Sequence, residues 1–268
     1  MKKTEKMSEK KTSSGRCSEP ETAQAGKRGT GSESDAHGAS PVDAARRGPL
    51  HTPQVKICGL TDVDEALACV ESGAKAIGCV FYPPSPRHLT EEKARDICRH
   101  LPSGTCTVGV FVNESHGSIM SKVERCGLKA VQLHGRETAG LVDALLREGV
   151  MVIKAVFVNG SPSIGDARAF GASAYLVECA GGKLPGGNAL AWDWGAARGL
   201  GEKEAVIIAG GLNPENVSRA IEAAQPDALD VSSGVEAEPG KKDLDKVKQF
   251  LQAVSRSPVE RKLRQVLG

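Results

Sequence analysis

From Gln54 onward, short apolar runs alternate with stretches in which apolar residues recur every three or four positions. The runs cover Val55–Cys58, Ala76–Phe81, Cys106–Val112, Ala130–Leu133, Val150–Val158, Ala174–Val177, Ala205–Ala209 and Ala228–Val231. Each is nearly continuously apolar, as parallel strands covered on both faces are. Between them the helical period takes over. Val63, Ala66, Leu67 and Val70 share one face, with Thr61 as the expected N-cap, acidic Asp62, Asp64 and Glu65 in the first turn, and Gly73 past the end. Ala94, Ile97, Cys98 and Leu101 follow Thr90-Glu91-Glu92 in the same way. Further helices are predicted over 115–126, 137–148, 162–170, 194–200 and 214–224, and a last one carries Leu244, Val247, Phe250, Leu251 and Val254. Asn213-Pro214 reads as a cap followed by proline at the first helical position.

Eight strand-plus-helix units in about 200 residues match a single (β/α)8 TIM barrel, an α/β fold. A doubly wound open sheet is the alternative. It calls for Gly-x-Gly-x-x-Gly after the first strand, where this chain has Cys58-Gly59-Leu60. The barrel is therefore placed at 53–256, with residues 257–268 as a C-terminal tail.

Composition changes the picture at the N-terminus. Residues 1–52 are rich in Lys, Glu, Ser, Gly, Thr and Ala, with Val42 and Leu50 as the main large aliphatic residues. Such a segment buries too little to offset its ordering entropy, so a disordered polar extension is expected. Its ten Lys/Arg and seven Asp/Glu give +3, leaving −1 for the remainder of a chain whose net charge is +2. That balance gives no reason to expect nucleic acid as a partner. No apolar segment follows Met1-Lys2-Lys3 as a secretory signal requires, and no run reaches the roughly 18 residues of a membrane span. The eight cysteines stand singly, without Cys-x-x-Cys pairs or metal-ligand spacing, which suits free thiols in a reducing cytoplasm.

Barrel chemistry gathers at the C-terminal ends of the strands. Those ends read Lys56-Ile57-Cys58-Gly59, Phe81-Tyr82 with Ser85-Pro86-Arg87, Gln132-Leu133-His134-Gly135, Glu178-Cys179, Ala209-Gly210-Gly211-Leu212 and Asp230-Val231-Ser232-Ser233-Gly234-Val235-Glu236. Glycine-rich turns after the last two strands let main-chain N–H groups approach an anion, so Gly210, Gly211, Ser232, Ser233 and Gly234 are candidates for phosphate binding.

These segments, together with Val108-Gly109-Val110-Phe111 and Asn213-Pro214, resemble the phosphoribosylanthranilate isomerases of tryptophan biosynthesis over residues 54–255. The resemblance implies an Amadori rearrangement of N-(5-phosphoribosyl)anthranilate, a phosphosugar, without metal or organic cofactor. It implies Cys58 as general base and Arg87 beside the anthranilate carboxylate. Gln132 and His134 lie on the same rim as candidate substrate contacts, and Asp230 is a candidate for a ribose hydroxyl. The general acid falls on Glu178, where the family usually has Asp, and the following loop, Pro185-Gly186-Gly187-Asn188-Ala189, also departs from the family pattern. Two alternatives stand beside this reading: another phosphosugar aldose-ketose isomerase, and a catalytically silent barrel that binds a phosphometabolite. The sequence leaves monomer and homodimer both open.

Overall fold

The computed structural model describes residues 49–180 and 191–268. The extension expected over 1–52 therefore lies mostly outside the described residues, as does the loop at Pro185–Ala189. Eight parallel strands pair in sequence order and close, the last onto the first: β1 (Gln54–Cys58), β2 (Ala76–Val80), β3 (Cys106–Phe111), β4 (Ala130–Leu133), β5 (Met151–Phe157), β6 (Ala174–Glu178), β7 (Val206–Ile208) and β8 (Ala228–Val231). The closed barrel is the predicted one, and each strand lies on its apolar run.

Helices follow the strands and cover their outer faces: α1 (Val63–Glu71), α2 (Glu91–His100), α3 (His116–Cys126), α4 (Ala139–Arg147), the single turn α5 (Arg198–Gly201), α6 (Val217–Ala224) and α7 (Leu244–Ser255). Ser115, Thr90 and Thr138 each cap the helix that follows through the side-chain oxygen. The cap of α1 is Asp62 rather than Thr61, because the Asp62 carboxylate accepts from the Glu65 N–H. Thr61 instead donates to the Gly240 carbonyl, across to the other end of the chain. Segment 162–170 holds a 3-10 helix, Ile164–Phe170, where an α-helix was expected. It runs from a capping box of Ser163 and Asp166 to a left-handed Gly171, and its turns take the tighter 3-10 spacing over that short span. Segment 194–200 likewise opens as a 3-10 helix, Trp194–Ala197, before α5. At the expected 214–224 helix, Asn213 caps a turn by accepting from Glu215 and Asn216, and α6 begins after it.

Two apolar layers result. Ile57, Ile77, Val131, Val177 and Ile208 pack outward against helices, while Ala76, Cys106, Val108, Ala130, Ile153, Leu176 and Ile207 fill the interior. The segment 257–268 does not behave as a tail. Val266 and Leu267 are buried within the interior layer, and their N–H groups donate to the Gln54 side chain at the start of β1. Arg261 and Arg264 of the same segment pair with the fully buried Asp227. The chain end thus stoppers the barrel at the N-terminal ends of its strands. Just before β1, the His51 backbone bonds to Val259, so the packed structure begins at the edge of the expected extension.

Candidate active site

Side chains alternate along a strand, and this parity decides which of them enter the barrel. Lys56 and Cys58 face inward on β1, Gln132 on β4, Glu178 on β6, and Asp230 on β8, with His134 and Ser232 continuing the same faces past β4 and β8. All of these but Lys56 line a cleft at the C-terminal mouth that encloses about 720 Å³, including its opening to solvent. Cys58, Arg87, Gln132, His134, Glu178, Gly210, Gly211, Asp230, Ser232 and Ser233 all border it. Gly234 does not. It lies just behind, where a Cβ would sit 1.8 Å from the Leu212 carbonyl oxygen, so its bareness lets the loops after β7 and β8 touch.

Lys56 is wholly buried beneath Cys58, with Nζ 2.8 Å from Asp230 Oδ1 on the adjacent strand. Burial by itself would lower the lysine pKa, but Asp230 and the Cys58 sulfur outweigh it, and the value stands raised. Cys58 feels opposed influences. Burial lifts its thiol pKa while Lys56 and, more weakly, Lys242 draw it down, and burial prevails. The thiol fits because β2 offers Gly78 at this level: a Cβ there would come within 2.7 Å of Sγ and 3.1 Å of Lys56 Cε.

Across the mouth, His134 Nε2 lies 2.8 Å from Glu178 Oε1, and Gln132 Nε2 lies 2.9 Å from His134 Nδ1. All three are buried, and the imidazole also meets the Phe157 ring edge-on. Gln132 Oε1 is buried without a hydrogen-bond partner. The turn carrying His134 is held from outside the barrel. Lys154 donates to the carbonyls of Leu133 and Gly135 and to Glu137, which itself accepts from the N–H groups of Asn113 and Gly135. The Glu178 side chain runs beside Gly210, where a Cβ would stand 3.2 Å from Glu178 Cβ and 3.1 Å from Trp192 Nε1. Gly210 and Gly211 both take left-handed φ, +82° and +68°, and the indoles of Trp192 and Trp194 donate to the carbonyls of Ala209 and Gly210. The tryptophans therefore pack the loop.

Arg87 reaches the cleft by crossing Gly59, whose Cβ would fall 2.4 Å from Arg87 Cδ. Its Nε and Nη2 donate to the two oxygens of Glu236 at 2.8 and 2.6 Å. Burial would raise the Glu236 carboxyl, but Arg87 and Lys242 together hold it below the usual carboxylate range. Glu236, Lys242 and Lys56 were quoted or passed over in the sequence without a role. The available signal was a charged residue inside an apolar strand at inward parity, as with Lys56.

The family model for N-(5'phosphoribosyl)anthranilate (PRA) isomerase matches residues 55–253. This chain belongs to that family. It is 55% identical to the N-(5'-phosphoribosyl)anthranilate isomerase of Desulfatibacillum aliphaticivorans over 215 residues, covering 80% of this chain and 99% of the relative. The crystal structure of phosphoribosyl anthranilate isomerase from Thermotoga maritima superposes with a TM-score of 0.71 at 41% identity, over 76% of this chain and 99% of that one. A phosphoribosyl anthranilate isomerase solved in complex with reduced 1-(o-carboxyphenylamino)-1-deoxyribulose 5-phosphate gives 0.68 at 40% identity, with the same coverage. Among isomerases of this family the described part of the chain is thus matched nearly end to end. No helix among the described residues is long and apolar enough to cross a membrane.

Proposed function

We infer that this chain catalyses the Amadori rearrangement of N-(5-phosphoribosyl)anthranilate to 1-(2-carboxyphenylamino)-1-deoxyribulose 5-phosphate, an isomerisation in tryptophan biosynthesis. The observation that carries the reading is a thiol and a carboxyl group on opposite walls of one cleft, Cys58 on β1 and Glu178 on β6, with glycine-rich loops along one side and a guanidinium at the other. The phosphate sits against the loops of Gly210-Gly211 and Ser232-Ser233, whose closeness Gly234 permits. The anthranilate carboxylate meets the edge of Arg87 that Glu236 leaves open.

Glu178 donates a proton to the furanose ring oxygen as the C1–O bond breaks, which leaves an iminium ion at C1. The Cys58 thiolate then removes the proton from C2, and that electron pair becomes the C1–C2 double bond of an enolamine. Tautomerisation completes the change: C1 gains a proton and the C2 hydroxyl loses one, so hydrogen moves from C2 to C1 without net oxidation.

The buried chain of Gln132, His134 and Glu178 suits a carboxyl group that must exist in two states. With Gln132 Nε2 donating to Nδ1, the imidazole carries its proton on Nε2 and donates to an ionised Glu178. With the amide reversed, Oε1 accepts from Nδ1–H, and Nε2 accepts the proton of a neutral Glu178. His134 and Gln132 thus act on the acid rather than on the sugar, which refines the contact expected of them. Asp230, paired to Lys56, belongs to the base in the same way, and its outer edge on the cleft remains open to a ribose hydroxyl. A biosynthetic isomerase of this kind fits a cytoplasmic setting.

Complementation of a tryptophan auxotroph lacking this isomerase tests the reading. The wild-type chain should restore growth, and Cys58→Ala should not. Failure of the wild type, when expressed and folded, would overturn it.

A further inference from the structure

Behind the cleft, where the sequence gives no hint of a substrate contact, Glu236 holds two cations on one buried carboxylate. Oε1 accepts from Arg87 Nε at 2.8 Å, from Lys242 Nζ at 2.7 Å and from the Gly240 N–H at 3.3 Å, while Oε2 accepts from Arg87 Nη2 at 2.6 Å. Lys242 Nζ also donates to the Ser232 carbonyl, in the loop that borders the phosphate side. A guanidinium has five N–H donors in a rigid fork, and Glu236 takes one edge. The arginine stem is held on its other side by the bare backbone of Gly59. Its remaining edge therefore has a fixed direction, into the cleft that Arg87 borders and that Glu236 and Lys242 do not.

The hairpin that delivers Glu236 and Lys242 is itself tied down. Its strands, β9 (Glu236–Glu238) and β10 (Lys241–Lys242), turn at Gly240, whose carbonyl accepts from Thr61, and the Lys242 N–H donates to Glu65 of α1. An exposed ion pair of this kind would add little, but this one is buried on both sides and bidentate.

We propose that Glu236 is the positioning residue that sets the free edge of Arg87 for a planar carboxylate and, through Lys242 and Ser232, fixes the distance from that grip to the phosphate loops. The site then selects molecules by the separation of two anions, a carboxylate and a phosphate, on one ligand. This rests on the reading of Arg87 and the loops given above.

A double-mutant cycle tests it, with steady-state kinetics on N-(5-phosphoribosyl)anthranilate and competition by anthranilate and by inorganic phosphate. Arg87→Gln and Glu236→Gln should each raise KM about tenfold or more with kcat changed only a few-fold, and each should weaken inhibition by anthranilate. The double variant should be no worse than Arg87→Gln alone, because Glu236 acts through Arg87. Glu236→Asp keeps the charge, retracts the carboxylate by one methylene, and should raise KM in the same direction in a chain whose charge balance is intact. Effects that multiply in the double variant, or a normal KM in a folded Glu236→Asp, would overturn the role of Glu236. A normal KM in Arg87→Gln would instead overturn the assignment of Arg87 on which it rests.

Discussion

A thiol removes a carbon-bound proton only as thiolate, and around Cys58 burial and charge act in opposite senses. Its pKa is raised in the folded chain because burial outweighs Lys56, so the base form grows as pH climbs through that raised value. The kcat/KM profile should therefore still be rising above the ordinary thiol range near 8.5. Lys56→Gln, which removes the opposing cation, should move the inflection further alkaline. An inflection unmoved by that change would mean that Lys56 does not act on Cys58. Glu178→Gln removes the transferable proton and should lower kcat by about 10² to 10⁴ with little change in KM, measured at saturating substrate. Glu178→Asp should also be slower than wild type, since the shorter side chain withdraws from His134 Nε2, now 2.8 Å away. An Asp variant as fast as wild type would show that the His134 contact is dispensable. Cys58, Glu178 and Arg87 were legible as residue types at strand ends. Their partners were not, because Lys56 with Asp230, and Arg87 with Glu236, join positions 174 and 149 residues apart, and no local pattern encodes such pairs.

At the scale of elements, the proposed phosphate side depends on two loops meeting at Gly234. Gly234→Ala would set a methyl group 1.8 Å from the Leu212 carbonyl and force the loops apart. We expect KM to rise at least about tenfold, equivalent to roughly 1.4 kcal/mol, with inhibition by inorganic phosphate weakened in step. Normal phosphate inhibition in this variant would detach Gly234 from the phosphate side. The strands were easy to place from sequence because residues covered on both faces leave long apolar runs. That same uniformity hid which residues face inward: Ile57 and Cys58 look alike in a sequence, yet one packs on helices and the other borders the cleft. Helices were readable where cap and period agreed, as at Thr90 and Ser115, and misread at Ile164–Phe170, where a start signal at Ser163 and a stop at Gly171 enclose only a short span that winds as a 3-10 helix.

At the scale of the whole molecule, the two ends of the sequence make opposite predictions. Every site and core group named above lies after residue 48, so deletion of residues 1–48 should leave Tm and turnover unchanged; a fall of many degrees would refute this. Deletion of 264–268 removes Val266 and Leu267 from the interior and Arg264 from the buried Asp227. A loss on the order of 3–5 kcal/mol is expected, read as a Tm lower by about 10 °C, and an unchanged Tm would show that the stopper is ornamental. The Lys56–Asp230 pair has a consequence for how the enzyme comes into being. Lys56 belongs to the first strand made and Asp230 to the last, so a chain still emerging from the ribosome carries an ammonium in an apolar strand with no counter-ion until β8 arrives. Ring closure and the pairing of the buried charge beneath Cys58 are then one event. Nascent or truncated barrels lacking the eighth strand should be unable to process phosphosugars, and activity should report completed synthesis.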